Sequence, residues 1–110
     1  MKMTADISSC ENAQDKVLSV CECDADGYIV HEVIIQRAPK EFDILDDAPG
    51  PKISCDELGL ELAPGPEDII FSNHLMTVVL SQSENVEIDI SGLDVDEQSQ
   101  LKVVAEELFR

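Results

Sequence analysis

Six Cys and His side chains in this sequence could ligate zinc: Cys10, Cys21, Cys23, Cys55, His31 and His74. Cys21-Glu22-Cys23 is the focus, because on an extended strand residues i and i+2 project from the same face. Two thiolates placed there need two further ligands to close a tetrahedral zinc site. Zinc-binding folds usually pair two Cys-x-x-Cys knuckles, whereas here the remaining cysteines stand singly. Reduced cysteine also serves as a small core residue. The expectation is therefore four free thiols and no metal or other cofactor, with a metal-binding accessory domain built on Cys21 and Cys23 as the third reading.

Other chemistry finds less support. Asp24-Ala25-Asp26-Gly27 begins like a calcium loop but has no third acidic ligand before glycine, and Ile35 stands where such a loop carries glutamate. There is no glycine-rich phosphate loop, no GxSxG elbow and no HExxH pair. Neither histidine lies beside a recognisable nucleophile. Carboxylate pairs are too frequent in this chain to mark a catalytic pair, and the sequence reads as a non-enzyme.

Charge is the outstanding property. Twenty-four Asp and Glu against seven Lys and Arg leave −17 over 110 residues. Nucleic acids and anionic membranes are poor partners for such a surface, since both are bound through clustered basic side chains. A basic protein is the fitting partner. The acids concentrate between Glu41 and Asp68, where nine carboxylates face Lys52 alone. Within that stretch Glu41, Asp43, Asp46 and Asp47 surround Phe42, Ile44 and Leu45. Carboxylates steer a basic partner inward, and apolar anchors among them slow its departure. The candidate partner-binding residues are Glu41, Asp43, Ile44, Leu45, Asp46, Asp47, Asp56, Glu57 and Glu61, with Phe42 assigned to the core.

The elements that must position these residues follow from the hydrophobic pattern. At this length the chain is one domain with an aliphatic core, since it holds three Phe, one Tyr and no Trp. Residues 1–15 are polar and without periodicity, and read as a mobile lead-in to a domain spanning 16–110. KVLSVCEC and YIVHEVIIQR form a hairpin around Asp24–Gly27, where glycine takes positive φ at little cost. Pro39 ends the second strand. KISCDEL is a short strand and LELA a possible one. DIIFS and LMTVVLS flank Asn73-His74 as a second hairpin. A turn at Ser83-Glu84-Asn85 leads into VEIDISGL, where Val86, Ile88 and Ile90 alternate with Glu87 and Asp89. Asp94 and Glu97 form a capping box, and Leu101, Val104, Ala105 and Leu108 make one helical stripe. The expected architecture is α+β: an antiparallel sheet of about five or six strands with one C-terminal amphipathic helix on one face. The opening MKMTADISSCENAQDK has no apolar signal core, so a cytoplasmic location is expected.

IIQRAPKEFD, followed by the order of elements above, resembles the immunity protein ten family of bacterial polymorphic-toxin systems. The matching positions are Ile35, Gln36, Arg37, Glu41, Phe42 and Asp43, and the likeness extends roughly from Val17 to Phe109. KISCDELGLELAPGP departs from it, lacking the family's aromatic strand residues and glycine-tyrosine segment. The resemblance implies a cytoplasmic protein that binds and blocks a cognate toxin, with no catalytic residues to carry over. Arg37 is then expected to pair with Glu41 or Asp43. Asp46, Asp47, Asp56, Glu57 and Glu61, in the variable part, are expected to contact the toxin. A nuclease, with a groove built for phosphates, suits the charge. The second reading is an acidic mimic of DNA that sequesters a nucleic-acid-binding protein.

Overall fold

The computed structural model describes residues 1–45, 50–55, 60–62, 65–81 and 84–110. Among these, nine strands form two sheets, and one helix completes an α+β domain. The first sheet has the order β1 (Lys2–Thr4), β9 (Glu84–Asp89), β8 (Leu75–Ser81), β7 (Ile69–Ser72). The second runs β2 (Ile7–Asn12), β3 (Lys16–Cys23), β4 (Ile29–Arg37), β5 (Lys52–Cys55), β6 (Leu60–Leu62), all antiparallel. Only β1 breaks the antiparallel rule, lying parallel to β9 with Met3 opposite Ile88.

One correction concerns residues 1–15. They are not a lead-in. Two strands come from them, Met3 is 4% exposed and Ala5 is fully buried. The chain changes sheets within one peptide unit. The Ala5 amide donates to the Asp89 carbonyl at 2.8 Å, and the next amide, Asp6, donates to the Cys21 carbonyl at 2.8 Å. Side chains lock this corner: the Asp6 carboxylate accepts from the Cys23 amide at 2.8 Å, and Glu22 accepts from the Thr4 amide at 3.3 Å. A residue without bulk is required where two backbones diverge from a buried point, and Ala5 meets that need.

The expected α+β class, antiparallel strands and C-terminal helix are present, with the described strands in two sheets. A single sheet would place every strand in one hydrogen-bonded ladder, but the described strands divide four and five. The inner faces of both sheets feed one aliphatic core: Leu18, Val20, Val33, Ile35 and Ile53 from one, Met76, Val78, Val86 and Ile88 from the other.

Both hairpins form where expected. Gly27 takes φ +88°, and the Asp24 carboxylate accepts from the amides of Asp26 and Tyr28 at 2.9 and 3.0 Å. Asn73 holds φ 55° between β7 and β8, a conformation Asn tolerates better than most residues. β9 begins at Glu84, paired with Ser81, two residues earlier than the alternation around Val86 indicates.

Helix α1 (Val95–Glu107) starts at the expected capping box. Asp94 accepts from the Glu97 amide at 2.7 Å, and Glu97 accepts in return from the Asp94 amide at 3.3 Å. Loss of a cap of this type costs about 1 kcal/mol. Leu101, Val104, Ala105 and Leu108 are buried, as their spacing requires. The helix lies against the inner side of β2 and β3, where Ser8 donates to Glu97 at 3.0 Å. Its first turn also reaches the β7–β8 reversal, through a 3.3 Å contact between Gln98 and the His74 ring. Among the described residues no helix is long and apolar enough to cross a membrane.

Candidate partner-binding surface

The segment after β4 is a 3₁₀ turn, Lys40–Leu45. Pro39 removes a ladder donor, and its carbonyl accepts from the Phe42 amide at 3.0 Å, so the chain curls instead of extending. Arg37, at the end of β4, fixes the curl. Its Nη2 lies 2.8 Å from Oδ2 of Asp43, and the arginine side chain is only 12% exposed. Of the two acids considered for Arg37, Asp43 is the one it holds.

The bridge determines what the turn displays. Ile44 is 88% exposed and Leu45 80%, while Glu41 also faces solvent. Side chains this apolar gain nothing from water, and their neighbours leave them there. Phe42 is not a core residue. It stands 50% exposed, because the 3₁₀ curl lifts it away from the aliphatic interior and over one end of the sheet.

Beneath Phe42 lies a cleft of about 360 Å³. Four of its lining residues, Glu11, Val17, Gln36 and Lys52, are one cross-strand row on β2, β3, β4 and β5. That row belongs to the outer face of the five-stranded sheet, the face opposite Leu18, Val20, Val33 and Ile35. The turn contributes Phe42 and Asp43 to the other wall. The 3₁₀ turn therefore folds over one end of the outer sheet face.

Of the other expected contact residues, Asp46, Asp47, Asp56 and Glu57 lie outside the described residues. Glu61 is on β6, its side chain also outside what is described. The structure brings together Glu41, Asp43, Ile44 and Leu45 on one turn. Sequence reading missed Glu11 and Val17, which reach the cleft only through the β2–β3 pairing; residues 1–15 give no period-2 signal that would reveal it.

The thiols do not assemble. Registers place Cys10 beside Leu18 and Cys55 beside Val33, both on the inner face, whereas Cys21 pairs with Glu32 on the outer face. Strand alternation thus separates the thiols that the third, metal-binding reading would bring together, and the β3–β4 register shifts between Glu22 and Cys23. Among the described residues no three His, Cys, Asp or Glu side chains converge to hold a metal ion. Burial raises the Cys10 thiol above its ordinary pKa. Burial also raises Cys21, helped by its 3.4 Å contact with the Glu32 carboxylate. Both are poor thiolates at neutral pH, and so poor metal ligands and nucleophiles.

The fold and surface define a small acidic α+β domain that presents adjacent aliphatic side chains on a braced turn. Compared with protein-family models, curated proteins and solved structures, the chain matches none.

Proposed function

We propose that this chain is a binding inhibitor of the immunity type, which occludes the basic working surface of a cognate protein toxin. The observation that carries the reading is the pair Ile44 and Leu45, held in water by the Arg37–Asp43 bridge within a chain of net charge −17. Exposed aliphatic anchors on an acidic turn, with Glu41 before them and Asp46 and Asp47 next in sequence, suit a partner whose own apolar contacts are flanked by Lys and Arg. The motif order from Ile35 to the terminal helix supplies the kind of partner, a toxin, and the charge supplies its class, a nuclease with a phosphate-binding groove. Occlusion needs no catalytic group on the inhibitor. Covering the groove excludes substrate by volume and by field.

The test is recovery of the tagged protein from its native host at low and at high salt, with partners identified by mass spectrometry. One basic partner is expected, with association slowed as salt screens the attraction. A set of chromosomal DNA-binding proteins would replace this reading with DNA mimicry, and the absence of any partner would remove it.

A further inference from the structure

The outer face of the five-stranded sheet continues beyond the cleft. Next to the row Glu11–Val17–Gln36–Lys52 come Ser9–Ser19–Ile34–Ser54 and then Ile7–Cys21–Glu32. The helix and the core both lie on the opposite side of this sheet. Along the outer face Val17 and Ile34 are half-buried, while Ile7 is 52% exposed. At the far end, Tyr28 and Ile29 stand at the β3–β4 hairpin with 73% and 56% of their surface in water. Between the Phe42 cleft and the hairpin this face thus carries Val17, Ile34 and Ile7 as separate aliphatic side chains among polar ones.

We infer that the partner-binding surface is this whole outer face, from Ile44 and Phe42 at one end to Tyr28 and Ile29 at the other, and that its occupant is a basic protein surface. The inference rests on the function proposed above and extends it. Size is the first argument. Strands β2 to β5 at about 4.8 Å spacing, with β4 about 26 Å long, present roughly 400 Å² of sheet. That is about half of the ~800 Å² one partner gives to a standard interface, and the turn and hairpin at its ends extend it. The turn alone would fall well short.

Charge decides the occupant. On this face Glu11 and Glu32 stand in the rows named above, Asp24 and Asp26 form the hairpin at its end, and Lys52 is the one cation in those rows. A second copy of the chain would bring another −17 to this face. Like charge opposes that pairing, and a cationic partner relieves it.

The test places p-benzoylphenylalanine, a photoreactive side chain, at Tyr28, at Ile44 or at Val95 in the full chain within its native host. Val95 is 78% exposed and sits at the start of α1, on the other side of the sheet. All three sites are exposed enough to accept the change, and unaltered circular dichroism checks folding. The expected result is one basic polypeptide crosslinked from both Tyr28 and Ile44 and not from Val95. Crosslinks from Ile44 but not Tyr28 would overturn the extended face and leave the proposed function standing. A second copy of this chain crosslinked at Tyr28 would also overturn it. Crosslinks from neither Tyr28 nor Ile44 would overturn both.

Discussion

Replacing Ile44 and Leu45 together by Asp is expected to abolish tight partner binding while leaving the fold intact. The two side chains are exposed at 88% and 80%, so the free protein loses almost no buried apolar area when they change. Surface substitutions of this kind usually move stability by under about 0.5 kcal/mol. In the complex the same positions would sit at the apolar centre of the contact, where anchor residues are typically worth about 2–4 kcal/mol each. One lost anchor weakens binding about 30- to 1000-fold, and two introduced carboxylates desolvated against a partner add to that. The readouts are the dissociation constant by surface plasmon resonance and the midpoint of urea unfolding. An unchanged midpoint with binding lost is the expected pair. Unchanged binding in a folded variant would remove the turn from the interface.

A chain shortened to begin at Lys16 is expected not to fold cooperatively. The deletion removes β1 and β2 with Met3 and Ala5 from the core, and takes away the corner where the two sheets are joined. It leaves β9 with one edge unpaired and the helix without the strand it packs on most closely. Burial of Met3 alone is worth about 2–3 kcal/mol, against a total that for a domain of this kind is about 5–15 kcal/mol. Loss of a sigmoidal unfolding transition in circular dichroism is the expected readout. A cooperative transition within about 1 kcal/mol of the full chain would show that the first two strands are dispensable.

These two expectations also mark what the sequence could and could not reveal. The hairpins were legible because their turns need particular residues: Asp24 to hold two amides, Gly27 and Asn73 to enter positive φ. Helix α1 was legible because cap and stripe agree on one register. β2 was not, because ISSCEN turns Ser8 and Cys10 inward and Ile7 outward, reversing the usual hydrophobic pattern. An edge strand held mainly by its ladder carries little signal of its own. β1, three residues long, depends on a partner 85 positions away, with Lys2 opposite Glu87. The split into two sheets follows from that same long-range corner and has no local signature.

At the candidate site, the exposure of Ile44 and Leu45 was legible as aliphatics among acids, whereas the partner of Arg37 was open between Glu41 and Asp43 until the 3₁₀ turn brought Asp43 to it. The position of Phe42 was not. In a chain with three Phe, an aromatic is expected to be core, and only the 3₁₀ geometry after Pro39 lifts it onto the cleft wall. The cleft floor required knowing that β2 to β5 are adjacent, which is a property of the sheet and not of any one segment.

Occlusion is the central claim, and titration of the recovered partner's toxic activity with this chain tests it most directly. The account expects activity to fall linearly and vanish at one chain per partner, with the Ile44→Asp, Leu45→Asp variant failing to inhibit at the same ratio. A partner that binds this chain stoichiometrically and keeps its full activity would contradict it.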